Sequence, residues 1–191
     1  EYMQSNDPIV ENPACVHGHA VWDRYADLVK AHNHAVWMTF VREPLRSAIS
    51  MYFFRRKLAQ EGRIPIFNYE RTLSEFLTWP YVSSNEPSYN HNRFSKWIKR
   101  HEQTVSSFDF VGVTEQYDAS MFLLYHQFQW PQILYTVVNK GVYAPPELGE
   151  EAATKFRELN ADDYRTYEEA LAIFEQKIEG YGSNFDNYCF G

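Results

Sequence analysis

Arg42 stands where an apolar run, Val36-Trp37-Met38-Thr39-Phe40-Val41, meets a segment that opens Glu43-Pro44-Leu45-Arg46 and continues through Ser47 to Ser50. The run is the kind that forms a strand buried on both faces. Pro44 ends it and suits the first turn of a helix, where its missing N–H costs nothing. An arginine where a strand turns into a helix is a candidate anion site. Unpaired N–H groups, the positive end of the helix dipole, a guanidinium and a hydroxyl can converge there on one phosphate. The same spelling also describes a salt-bridged arginine beside a helix-starting proline. A second group that could do chemistry is His17-Gly18-His19. A neutral imidazole accepts protons near working pH, and the glycine allows a substrate to approach the backbone. Otherwise these are loop histidines hydrogen-bonded locally. With His32 and His34 they make two His-x-His pairs. No carboxylate or cysteine completes a familiar zinc motif around them, so no metal is expected.

The elements that must position these residues follow from periodicity. Residues 1–13 read as a polar loop, Ala14-Cys15-Val16 as a short strand, and Trp22 to Lys30 as a helix. After the strand at 36–41, a helix over 44–60 puts Leu45, Ile49, Tyr52 and Phe53 on one face. Ser47 and Ser50 point away from that face, and Arg46 lies on its border. A turn at Glu61-Gly62-Arg63 precedes an irregular stretch, and Thr72 starts a short helix through Leu77. Further helices are predicted over 89–101, over 115–129 (through Tyr117, Met121, Leu124, Tyr125 and Phe128), and over 150–158 and 161–179. Strands are predicted at Phe108 to Val113 and Ile133 to Val138. Alternation of strands and helices implies an α/β domain with a mostly parallel sheet flanked by helices, one domain over 1–191.

Composition narrows the partners. Of the 191 residues 45% are hydrophobic and 23% charged, which describes a globular chain, and no apolar run is long enough to span a membrane. The net charge of −7 argues against nucleic acid as a partner. The charge is unevenly spread. Residues 42–63 carry Arg42, Arg46, Arg55, Arg56, Lys57 and Arg63 against Glu43 and Glu61. Residues 93–100 add Arg93, Lys96, Lys99 and Arg100 with no acid, whereas 147–179 holds ten acids and four bases. Basic stretches on an acidic chain suit an anionic cofactor or a sulfated or uronic-acid substrate, or else a solvated helix face. Cys15 and Cys189 either pair once or remain two thiols.

Arg42-x-Pro44 with Ser50 resembles the 3′-phosphate motif of sulfotransferases that use 3′-phosphoadenosine 5′-phosphosulfate (PAPS). Ser50-Met-Tyr-Phe-Phe-Arg-Arg56 is most similar to the heparan sulfate and uronyl 2-O-sulfotransferases. His17-Gly18-His19, Asn90-His91-Asn92-Arg93-Phe94, Phe110-Val-Gly-Val-Thr-Glu115 with Tyr117-Asp118 and Met121-Phe-Leu-Leu124, Asn139, and Asp162-Asp163-Tyr164 extend the likeness over roughly 14–180. The resemblance implies a P-loop-NTPase-like fold and transfer of a sulfuryl group from PAPS to a hydroxyl of a carbohydrate, with an anionic polysaccharide as acceptor. It implies His19 as general base and His17 as its support, and Arg42, Ser50 and Arg46 on the 3′-phosphate. Arg93 and His91 would lie near the acceptor. Relatives often carry a basic residue one position after Arg46, where this chain has Ser47. Trp22, Tyr52, Trp79 and Tyr89 offer rings that either stack on sugars or pack in the core. The family's Lys-containing phosphosulfate loop has no counterpart before His17. The chain is therefore expected to be a piece lacking the first strand and that loop, binding the nucleotide poorly as it stands. In a eukaryote the resemblance implies the Golgi lumen, in a bacterium the cytoplasm. The other class of reading is a non-catalytic relative that binds anionic glycans.

Overall fold

The computed structural model describes residues 2–4 and 15–17 (as backbone), 36–63, 71–80, 89–100, 103–130 and 148–182. Packing divides the chain into two units, Glu1–Trp37 and Met38–Gly191. In the first, β1 (Tyr2–Gln4) pairs in parallel with β2 (Cys15–His17), Tyr2 opposite Cys15 and Gln4 opposite His17. Part of the polar loop expected over 1–13 is thus a strand. The helix expected at 22–30, the strand at 133–138, Asn139 and Cys189 lie outside the described residues.

The second unit is α/β. Strands β3 (Met38–Val41) and β4 (Phe110–Val113) run parallel, Met38 opposite Phe110 and Val41 opposite Val113. Strand β4 is buried throughout, but Met38 and Phe40 of β3 are 39% and 41% exposed. The two-faced burial expected for β3 is therefore wrong. The Phe40 ring lies across Gly112, where a Cβ would come within 2.5 Å of it, so a glycine is required beneath the ring. Thr114 donates to the Val41 carbonyl at 2.9 Å, and the buried Ser120 hydroxyl accepts from Val113 N–H at 2.8 Å. These bonds satisfy the C-terminal ends of both strands.

Helix α1 (Pro44–Gln60) has the predicted bounds, with Pro44 in its first turn. Gly62, in the left-handed region at φ 69°, closes it. Its buried residues are Pro44, Ala48, Tyr52 and Ala59, and the rest of the expected stripe, Leu45, Ile49 and Phe53, is partly buried against the same core. The small side chains of Ala48 and Ala59 let this face sit deepest. Helix α2 (Leu73–Thr78) begins in a capping box between Thr72 and Glu75.

Helix α3 (Arg93–Arg100) starts later than the expected 89, after a turn in which Asn92 adopts φ 53°. Helix α4 (Tyr117–Phe128) follows a 3-10 turn at Thr114–Gln116. It buries the unbroken run Ala119 to Leu124, with Phe128 packed on the same core, so Met121, Leu124 and Phe128 of the expected stripe face inward, whereas Tyr117 is exposed. Helices α5 (Glu150–Leu159) and α6 (Ala161–Glu179) complete the unit. One core joins Val41, β4, α4, Ile98, Ala170 and Phe174; the other joins Ala48, Tyr52, Phe76, Leu77, Tyr89, Phe156 and Tyr164. Helix α6 contributes to both.

Helices α3 and α6 cap each other. The Asn92 side-chain oxygen accepts from the N–H groups of Asp162 (3.0 Å) and Asp163 (3.1 Å) at the start of α6. The Asp163 carboxylate accepts from Ser95 N–H at 2.8 Å and Phe94 N–H at 3.4 Å at the start of α3. Fully buried Asn160 accepts from Asn92 N–H at 2.9 Å and donates to the Phe156 carbonyl at 2.8 Å. Asn160→Ala strands the Asn92 N–H, while the Phe156 carbonyl keeps the residue-160 N–H at 3.0 Å, and is expected to lower stability by about 1–3 kcal/mol. Urea unfolding should show this as a lower midpoint with an unchanged slope.

Candidate functional site

Strand β3 delivers Arg42 at its C-terminal end, and α1 carries Arg46 and Ser50 one turn apart on a single face. Arg42 and Arg46 are exposed, and Ser50 is partly buried. The Arg42 Nε lies 3.9 Å from a Glu115 carboxylate oxygen, a loose ion pair on a side chain 39% exposed. Glu115 also accepts from Glu43 N–H at 3.2 Å, and the Tyr167 hydroxyl donates to it at 3.5 Å. Burial, and then the Glu115 charge, raise the Tyr167 pKa, so the phenol keeps its proton.

The N-terminus of α1 is not the open anion cradle that the sequence suggested. The Glu43 carboxylate accepts from Arg46 N–H at 2.6 Å, while Ser47 N–H bonds the Glu43 carbonyl. The Tyr164 hydroxyl donates to Glu43 at 2.7 Å and also meets the backbone of Leu45. Burial first, and this bond second, push the Tyr164 pKa well above the usual phenol range. Pro44 has no N–H, so the first-turn donors are already engaged by the chain's own groups. An anion here must be held by side chains. Arg42, Arg46 and Ser50 fit that requirement for a phosphate, because the terminal guanidinium nitrogens of both arginines make no hydrogen bond among the described residues.

Four stretches far apart in sequence meet in this one network: Arg42-Glu43, Asn92 with Phe94-Ser95, Glu115 and Asp163-Tyr164. Sequence reasoning missed the roles of Glu43 and Tyr164. A glutamate is a poor N-cap by propensity, and a tyrosine inside a helix carries no signal of a distant partner. Asn92 did carry one, since asparagine is a favoured N-cap and marks the observed start of α3.

Arg93 is exposed, its Nη1 3.8 Å from the Met51 sulfur on α1. His91 is half-buried between Tyr89 and Phe156, its Nε2 2.7 Å from the Leu77 carbonyl. Tyr52 and Tyr89 are core residues, each 4% exposed, and therefore offer no stacking surface. The Tyr89 pKa is pushed up to about 12 by burial, with the Asp163 charge adding to it, and its phenol lies against Ser47. Trp79 is 46% exposed and carries the Arg71 guanidinium over its ring at 4.4 Å. His17 ends β2 in the first unit, and His19 and Trp22 lie outside the described residues. Among the described residues no helix is long and apolar enough to cross a membrane.

Compared with known family profiles, curated proteins and solved structures, the chain matches none.

Burial lowers the His91 pKa, outweighing the Leu77 carbonyl, which acts in the opposite direction. The unfolded chain therefore takes up this proton more readily than the folded one. The stability this neutral ring contributes is complete above its unfolded pKa of about 6.5 and is lost as pH falls toward the lower folded value. Denaturant midpoints measured from pH 7.5 down to 5 should fall, and His91→Gln should flatten that dependence.

Proposed function

We propose that this chain belongs to a PAPS-dependent carbohydrate O-sulfotransferase with a P-loop-NTPase-like fold. The observation that carries the reading is the junction itself. A parallel strand ends at Arg42, and the following helix carries Arg46 and Ser50 on one face, with guanidinium termini left for an anion. PAPS, when bound, supplies an activated sulfuryl group. In this reading Arg42, Arg46 and Ser50 hold the nucleotide's 3′-phosphate and fix its orientation. His19 would take the proton from the acceptor hydroxyl, with His17 supporting it, as the bond from sulfur to the 5′-phosphate oxygen gives way to one from sulfur to the acceptor and 3′,5′-bisphosphoadenosine leaves. Arg93 attracts the acid groups of an anionic polysaccharide acceptor, and His91 shapes the turn from which Arg93 projects. The Golgi lumen in a eukaryote, or the cytoplasm in a bacterium, is the compartment that goes with this chemistry.

A second reading, a non-catalytic relative that binds anionic glycans, draws on the Glu43 carboxylate at the start of α1. That carboxylate opposes an anion placed near Arg42. The two readings separate in a binding assay. Enzyme chemistry requires 3′,5′-bisphosphoadenosine to bind more tightly than AMP, by about 10- to 100-fold for one charge-assisted phosphate contact. Arg42→Ala should bring the two affinities together. Equal affinities in the unsubstituted chain would remove the phosphate assignment and leave the glycan binder.

The role of His19 is tested in the full gene product by turnover. His19→Ala should lower kcat by about 10² to 10⁴ with nucleotide affinity unchanged. In the unsubstituted enzyme, activity should decline as pH falls through about 6.5. Wild-type turnover with the same acidic limb would dismiss His19 as the base.

A further inference from the structure

Helix α3 presents a cationic ridge of which the reading above uses Arg93 alone. Arg93, Lys96 and Arg100 recur at i, i+3 and i+7, which sets them within about 60° of one another around the axis and spreads them over about 10 Å of its length. All three are exposed, while Ser95 and Ile98 on the other side are buried. The helix contains no acid. Its fourth cation, Lys99, lies off this line and pairs with Asp162 at 3.0 Å. Among the described residues no carboxylate comes within 4 Å of Arg93, Lys96 or Arg100. Arg93 rests against Met51, and Lys96 donates to the His91 carbonyl at 2.8 Å, so neither head group is neutralised where it is held.

We propose that Arg93, Lys96 and Arg100 form a track for consecutive acid groups of a sulfated or uronic-acid polysaccharide, extending the acceptor site from Arg93 along α3. As an acceptor track it rests on the sulfotransferase reading; as a polysaccharide surface it stands on its own. Cations spread over about 10 Å of one helix face match a ligand whose charges repeat along a chain. Nucleic acid fits less well. The chain's net charge is −7, and the aromatic residues of α3 are not free platforms for bases: Phe94 stacks on Trp97, and Trp97 on Phe108. Arg93 beside Met51 puts one end of the ridge against α1, the helix that carries Ser50.

The test is binding of a heparin-derived octasaccharide to the 191-residue chain across a salt series. Lys96→Ala/Arg100→Ala should weaken it about three- to tenfold. The dependence of log Kd on log salt should become shallower by about one to two. Lys57→Ala/Arg63→Ala removes the same charge from two residues already paired with Glu61 and should leave binding intact. Both substitutions are on the surface, and circular dichroism verifies their folding. The proposal is overturned if the unsubstituted chain does not bind the octasaccharide, or if the two double variants weaken it equally. Single-stranded DNA of equal charge binding as tightly would also overturn it. Loss of octasaccharide binding in the α3 variant, in a chain that does not prefer bisphosphoadenosine to AMP, would retire the sulfotransferase reading and sustain the ridge.

Discussion

The second unit depends on a problem common to all helices. The first turn of a helix leaves N–H groups without partners, and a buried helix end must find them from outside. Here α3 and α6, some seventy residues apart in the chain, solve it for each other through Asn92 and Asp163. Asn160 then binds the backbone of Asn92 from within the core. Because each bond presupposes both helix ends, the arrangement forms as a unit or not at all. It also accounts for the left-handed backbone at Asn92, a conformation that asparagine adopts more readily than most residues. Once α6 is fixed in this way, Tyr164 reaches Glu43, and the start of α1 is fixed in turn.

That chain of dependence shapes the candidate site. A strand-to-helix junction with an arginine is attractive to anions, yet this one already holds two carboxylates, Glu43 and Glu115. They do different work. Glu43 accepts from the first turn of α1 and from Tyr164, neutral donors that hold it in place and leave its charge uncancelled. Glu115 touches Arg42 only through Nε at 3.9 Å, a contact that orients the guanidinium without enclosing it. A pair 3.9 Å apart, with Arg42 39% and Glu115 17% exposed, is a loose one.

What the sequence made legible was what is local. Pro44 and Gly62 bracket α1, and Thr72 with Glu75 starts α2, because each signal acts within one turn. Arg42, Arg46 and Ser50 could be grouped for the same reason: one junction carries all three. Burial was harder to read. Which face of α1 sinks deepest is decided by Phe76, Tyr89, Phe156 and Tyr164 arriving from elsewhere. The place of the Phe40 ring over β4 depends on Gly112 across the strand pair, which its own neighbours do not announce. The stretches containing Asn92 and Asp163 were each noticed, but nothing in either spelling says that one caps the other.

The same caps explain how an acidic protein keeps a basic surface. Asp162 and Asp163 stand in the first turn of α6, where the helix dipole favours them. Asp163 is turned inward to the start of α3, while Asp162 is left with Lys99 and Arg165, and bonds from both hold its carboxyl below the usual carboxylate range. These two acids are therefore committed, one to the backbone of α3 and one to Lys99. Turning α3 by one residue, about 100°, would carry Lys99 away from Asp162 and change which cations face the solvent. The bonds that set the start of α3 thus also select which of its four charges are balanced within the fold and which remain to be met from outside.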